Sequence, residues 1–140
     1  MSPDSVAYLD TSAAMKLVVP EPDSEALRQH LDARHTHISS QLLLVELGTA
    51  TSRLGHDSPS RQAVAALLRR CDFVPIGDQV IERASRPFRP TQRALDAIHL
   101  ATALALEIPE LEFCSYDEQQ LKAARNAGLT CVSPGRRRRR

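Results

Sequence analysis

The chain is expected to fold as an α/β protein, a three-layer α/β/α arrangement around a central parallel sheet of four to five strands. Three observations predict this. Short apolar runs of strand length alternate with longer segments of helical pattern along the chain. The first such run, Val6-Ala7-Tyr8-Leu9, lacks polar alternation and reads as a strand buried on both faces. Hydrophobic residues make up 42% of 140 residues, enough for one globular core.

Taken in order, that strand runs into Asp10-Thr11-Ser12, where Thr11 or Ser12 is expected to cap a helix over 13–18. Pro20-Glu21-Pro22-Asp23 breaks the chain, and Asp23 or Ser24 opens a helix to about Arg34 with Ala26, Leu27 and Leu31 on one side. Thr36-His37-Ile38-Ser39 is a short strand. Ser40 is expected to cap a long helix over 41–54 that Gly55 ends. Asp57-Ser58-Pro59 opens the next helix, with Val64, Ala65, Leu67 and Leu68 as its apolar residues. Phe73-Val74-Pro75-Ile76 reads as a strand shortened by its proline, and Asp78 as the cap of a helix to about Ser85. After the loop Arg86-Pro87-Phe88-Arg89-Pro90-Thr91 comes a very apolar helix over 93–106. A strand over 112–115, a helix over 118–127 stopped by Gly128, and a last strand over 129–132 complete the pattern.

Charge and composition narrow the functional classes. The net charge of +1 becomes −4 once the five terminal arginines, Arg136 to Arg140, are set aside. An acidic body is unsuited to coating nucleic acid through many phosphate contacts. Aromatics at 4% are too few for a base-stacking platform. Nucleic acid, if bound, must therefore be handled at a local site. No apolar run approaches the roughly 20 residues of a membrane span, so no membrane partner is expected. Met1-Ser2-Pro3-Asp4 has neither the basic nor the apolar part of a secretory leader. Cys71, Cys114 and Cys131 have no metal-ligand or redox spacing, and read as small core residues in a reducing cytoplasm.

Against this background, four acidic residues fall in unusual places. Asp10 stands at the carboxyl end of a central strand, where open α/β sheets form ligand crevices, though it reads equally as a cap for the next helix. Glu46, in Leu42-Leu43-Leu44-Val45-Glu46-Leu47, lies about 60° from Leu43 and about 40° from Leu42 and Ala50 around a helix of roughly 100° per residue. It is on the margin of the apolar stripe, and either bends to solvent, pairs with an arginine, or serves a site. Asp96, His99 and Thr102 recur every three residues as a narrow polar stripe on an otherwise apolar helix. Asp96 also suits the positive end of the helix dipole, and His99 reads chiefly as a hydrogen-bonded core residue. Asp117 repeats the Asp10 pattern, strand before and helix after. Parallel topology can bring Asp10, Asp96 and Asp117 to one sheet edge. Two unit charges about 4 Å apart cost roughly 4 kcal/mol at an effective dielectric near 20. A cluster of this kind needs protons or a cation, and oxygen-only ligands select Mg²⁺ or Mn²⁺.

Leu9-Asp10-Thr11-Ser12-Ala13, Glu46 in its leucine-rich helix, Leu95-Asp96-Ala97-Ile98-His99-Leu100-Ala101 and Ser115-Tyr116-Asp117 together resemble PIN-domain ribonucleases. Length and spacing are similar to the VapC toxins of bacterial toxin–antitoxin pairs. The resemblance implies a PIN-like nuclease domain over 1–134, followed by a basic, disordered tail over 135–140. It implies a Mg²⁺- or Mn²⁺-dependent endoribonuclease in which a metal-activated water attacks an RNA phosphodiester, leaving a 5′-phosphate and a 3′-hydroxyl. Asp10, Glu46, Asp96 and Asp117 match the family's acidic quartet. Asp10 and Asp96 would be direct metal ligands; Asp117, like Glu46, would hold the ion through water or a second ion. Ser12 and Ser115 match small hydroxyl positions able to bond metal-bound water. A homodimer and a cognate antitoxin are the implied partners. Arg86, Arg89 and Arg93 could guide an RNA backbone to the metal, or form a solvated loop or an antitoxin-docking surface. The arginine tail could add RNA affinity or act only as a solubilising end.

Two rival classes share the sheet. A receiver-like phosphoacceptor needs an acidic pair before the first helix and a lysine after the last strand. The only lysines are Lys16 and Lys122, neither so placed. A haloacid-dehalogenase phosphatase needs a second aspartate two residues after the first, where Ser12 stands. A catalytically silent binding module of the same fold is the third reading.

Overall fold

The computed structural model describes residues 5–34 and 36–136. The elements follow in the order β1 (Val6–Leu9), α1 (Thr11–Val18), α2 (Ser24–Asp32), β2 (Thr36–Ser40), α3 (Leu42–Thr51), α4 (Pro59–Arg70), β3 (Cys71–Val74), α5 (Asp78–Ser85), α6 (Ala94–Ala105), β4 (Glu112–Cys114), α7 (Glu118–Asn126) and β5 (Thr130–Val132). The strands form one sheet in the order β3-β2-β1-β4-β5, and every pairing is parallel. The sheet therefore has the upper number of strands expected, and β1 lies at its centre.

Side-chain alternation along the strands explains the three layers. In β1, Ala7 and Leu9 join a cluster with Ala13, Leu27, Leu43, Leu47 and Leu67, so α1 to α4 pack on that face. Tyr8 points the other way, into a cluster with Leu100, Phe113 and Ala123 beneath α6 and α7. In β4 the same alternation sends Cys114 to the first cluster and Phe113 to the second. Both faces are covered, so a continuous apolar run suits β1 better than an amphipathic one.

Several boundaries differ from those expected. The third strand is Cys71–Val74, not 73–76, with Cys71 to Val74 pairing with His37 to Ser40. Pro75 has no N–H to donate, so the ladder ends just before it, and Cys71 follows α4 directly. Helix α3 stops at Thr51 instead of Leu54. Thr51 Oγ1 bonds back to the Leu47 carbonyl at 2.8 Å and Ser52 Oγ to that of Thr49 at 3.1 Å, hydroxyl contacts that compete with helix continuation. Gly55 thus lies beyond the helix end. Ser40 Oγ accepts from Leu42 N–H at 3.1 Å, although Gln41 holds the cap position. Asp23 makes no capping bond, and Gly77, not Asp78, caps α5. Of the apolar residues expected on α4, only Leu67 is buried.

Gly128 ends α7 as expected, and its φ of +96° is the reason. Its N–H bonds the Arg125 carbonyl at 3.0 Å and the following Leu129 N–H bonds that of Ala124 at 2.9 Å. An L side chain in this left-handed conformation is strained, so Gly128→Ala should cost about 1 kcal/mol in urea unfolding. An unchanged midpoint and slope would show that the turn bears no conformational demand. All three cysteines are free, with Cys71 and Cys114 buried. Of the arginine tail, Arg136 donates to the Tyr116 carbonyl at 2.6 Å and to Glu118 at 2.7 Å, and residues 137–140 lie outside those described.

Candidate functional site

Chain order along the sheet reverses at β1, with β2 on one side and β4 on the other. The crevice of a doubly wound sheet forms at such a switch point, beyond the carboxyl ends of the strands. Asp10 directly follows β1, and Asp117 follows β4 by three residues. Each caps the next helix. Asp10 Oδ1 accepts from Ala13 N–H at 2.8 Å, and Asp117 Oδ1 from Gln120 N–H at 3.1 Å. The expectation that Thr11 or Ser12 caps α1 is therefore corrected. The aspartate one position earlier takes that role, and both hydroxyls turn toward carboxylates instead.

Asp96 lies in the first turn of α6 and Glu46 in the middle of α3. All four carboxylates, together with Ser12 and Arg93, line a single cleft of about 440 Å³. Arg93 is the cap residue of α6, three positions before Asp96. Arg86 and Arg89 do not line this cleft. Ser115 stands behind Asp10, fully buried.

Asp10 is 1% exposed and is the most constrained of the four. Ser12 Oγ donates to Oδ1 at 2.7 Å and Ser115 Oγ to Oδ2 at 2.5 Å. The two hydroxyls are themselves fixed, since Tyr116 N–H donates to Ser12 at 2.8 Å and Asp117 N–H to Ser115 at 3.1 Å. Ser12 and Ser115 thus hold the carboxylate itself. Burial pushes the Asp10 carboxyl above the usual range, with the bonds from Ser115, Ala13 and Ser12 opposing it. Asp96 is raised as well, first by burial and then by the charge of Asp117. Glu46 goes the other way. Burial would raise it, but hydrogen bonds from His99 and Thr11 outweigh that and leave it lowered.

Glu46 is hydrogen-bonded to His99, and no lysine or arginine among the described residues forms an ion pair with any of the four carboxylates. Lys16, the lysine of α1, is engaged by Glu21 and Asp23. No three His, Cys, Asp or Glu side chains among the described residues stand close enough to chelate one ion directly. Mg²⁺ and Mn²⁺ keep several waters and use one or two carboxylates plus substrate phosphate, so they require no such cage. A pre-assembled cage would suit Zn²⁺ or Ca²⁺ better. The donor set is all oxygen, Asp10 and Asp96 are raised by burial and Asp96 also by the neighbouring carboxylates, and a hard cation fits it.

Sequence reasoning missed the partners of Glu46. Thr11 Oγ1 donates to Oε2 at 2.7 Å, and His99 Nε2 donates to Oε1 at 2.8 Å. The polar stripe of Asp96, His99 and Thr102 was the available signal, but it gives no hint of what the ring touches. Gln120, 2% exposed, also lines the cleft and donates from Nε2 to the Asp96 carbonyl at 3.1 Å, tying α7 to the start of α6. Among the described residues no helix is long and apolar enough to cross a membrane.

The fold and the site thus define the class, a doubly wound α/β domain with an acidic cleft at its switch point. Within that class, the PIN domain model matches residues 7–126, so the chain belongs to the PIN-domain family. It is 37% identical over 127 residues to the ribonuclease VapC46 of Mycobacterium tuberculosis, covering 91% of this chain and 96% of that protein. Its fold is similar to that of VapBC2 from Rickettsia felis, solved bound to a DNA fragment from their promoter, with a TM-score of 0.71 at 14% identity over 91% of this chain and 97% of that one. A toxin–antitoxin complex from Klebsiella pneumoniae gives a TM-score of 0.67 at 20% identity over 91% of this chain and 97% of that one.

Proposed function

We propose that this chain is a Mg²⁺- or Mn²⁺-dependent endoribonuclease, the toxin of a VapBC-type toxin–antitoxin pair. The observation that carries the chemistry is the convergence of Asp10, Glu46, Asp96 and Asp117 on one cleft, none of them ion-paired with a lysine or arginine among the described residues. The likeness to VapC46 carries the substrate class, and the toxin–antitoxin neighbour supports an antitoxin partner.

In this reading Asp10 and Asp96 would hold the cation directly and Asp117 through water, and the cation when bound would neutralise phosphate charge and make a nearby water more acidic. Asp10 is delivered in one orientation by its two serine donors and its capping bond. Glu46, kept ionised by Thr11 and His99, is the acceptor that orients the attacking water. Arg93, which lines the cleft with Asp96, receives the RNA backbone; Arg86 and Arg89, which do not line it, are the further candidates for that contact. No side chain serves as nucleophile, and cleavage leaves a 5′-phosphate and a 3′-hydroxyl. The nuclease unit spans 1–134, the basic tail 135–140 follows it, and the active form is a cytoplasmic homodimer.

The test is digestion of total RNA by pure protein with Mg²⁺ or Mn²⁺, with and without EDTA, beside Asp96→Asn. Wild type should cleave, and chelation or the substitution should each lower the rate by about 10²-fold or more. Equal cleavage by Asp96→Asn would expose a contaminating nuclease. Metal binding without turnover on any RNA would favour the silent binding module.

A further inference from the structure

Glu46 has a peculiarity: nothing on its own helix holds it. Its neighbours one turn away on α3 are Leu42, Leu43, Thr49 and Ala50, and Val45 beside it is exposed. A glutamate so placed would ordinarily swing among rotamers toward water. Its two oxygens are instead taken by Thr11 of α1 and His99 of α6.

His99 is fully buried, and its ring is anchored at the opposite nitrogen. Tyr8 Oη lies 2.8 Å from Nδ1, and the Tyr8 ring stacks on Phe113 at 5.4 Å between centroids. Tyr8 meets the imidazole edge-on, at 75° between planes. A rigid path therefore runs from Phe113 and Tyr8 in the core, through His99, to a carboxylate at the cleft. The direction of each bond follows from chemistry. An ionised Glu46 only accepts, so Nε2 carries the hydrogen, and in the neutral ring Nδ1 accepts from the Tyr8 hydroxyl. Thr11 Oγ1, having donated to Glu46, lies 3.1 Å from Nε2 and shares that hydrogen.

We infer that His99 is a positioning residue for Glu46, with Tyr8 fixing the imidazole so that its Nε2–H sets one orientation of the carboxylate toward the cleft. This rests on the nuclease reading of the cleft. The ring itself is fully buried and meets no substrate, so it acts only through Glu46. Outer partners of this kind orient the groups that do the chemistry, and their loss costs rate more than binding.

Two substitutions separate positioning from simple core packing. The amide nitrogen of His99→Gln reaches the place of Nε2 and can still donate to Glu46. His99→Asn reaches only the place of Nδ1, keeping the Tyr8 contact and losing the donor. On a synthetic RNA carrying a cleavage site mapped from digested total RNA, His99→Asn should lower kcat about tenfold or more with KM within about twofold. His99→Gln should recover most of that loss, at matched thermal stability. In the metal-free protein without RNA, nitrogen-edited NMR should find an exchange-protected proton on Nε2, and its protection should vanish in Glu46→Ala. Equal losses in the Gln and Asn variants, or a ring protonated on Nδ1 alone, would overturn the inference. If the wild type cleaves no RNA, the nuclease reading fails by itself, and the ring signals still decide whether His99 holds Glu46.

Discussion

Asp10→Asn should abolish RNA cleavage, by about 10³-fold or more, and yet leave the metal-free protein as stable as the wild type or more so. The two halves of this result have one cause. Asp10 is 1% exposed and its carboxyl is raised by burial, so its charge opposes folding when no cation is present. Asparagine has the same shape, keeps an oxygen for Ala13 N–H and Ser12, and offers no charge to desolvate. Ser115 can turn its hydroxyl to accept from the new amide. Helix α1 therefore keeps its cap, while the cleft loses its most firmly held anion. The measurement pairs initial cleavage rates with thermal unfolding in EDTA. A midpoint equal to the wild type or raised by a few degrees is expected, since about 1 kcal/mol moves Tm by a few degrees in a domain of this size. A variant that cleaves at the wild-type rate would place the chemistry elsewhere. A collapse in stability would mean that Asp10 is kept for its cap alone.

How far the fold and the site could be read ahead follows from which interactions are local. Asp10 and Asp117 were legible because strand, aspartate and helix follow one another within a few residues, and parallel connections send both to the same sheet edge. Central β1 was legible because both its faces are covered. The identity of the α1 cap was not, since Asp10, Thr11 and Ser12 are all competent acceptors and only tertiary contacts choose among them. Here Glu46, 35 residues from Thr11, takes that hydroxyl's hydrogen, Ser12 donates to Asp10 itself, and Ser115, 105 residues from Asp10, donates to the same carboxylate. His99 was read as a core residue, which its burial bears out, but its partners lie 91 and 53 residues away and no periodicity encodes them. The shift of β3 to Cys71–Val74 shows the complementary error. An apolar run drew the strand past Pro75, although the missing N–H sets the end of the ladder more firmly than hydrophobicity does.

The second large effect concerns the cation and pH together. Saturating Mn²⁺ should raise the thermal midpoint of the wild type, and more at pH 7.5 than at pH 5. Ligand present at 100 times its Kd stabilises the folded state by about 2.7 kcal/mol, several degrees for a domain of this size. The pH trend follows from the carboxyls. Asp10 and Asp96 have folded-state values above the unfolded 3.8, so the stability they contribute is complete below that value and is lost as pH rises through their raised ones. Glu46 and Glu112 are depressed below 4.5, so their contribution is present above that value and is lost as pH falls. Above the raised values the cleft therefore holds unrelieved charge, and a divalent cation has most to offset; at lower pH protons compete for the same oxygens. Asp96→Asn should shrink the Mn²⁺ shift, because it removes both a ligand and the repulsion with Asp117. Gly128→Ala, remote from the cleft, should leave the shift intact on a lowered baseline. A wild-type midpoint indifferent to Mn²⁺, or a shift of the same size in Asp96→Asn, would mean that the four carboxylates share a cleft without sharing an ion.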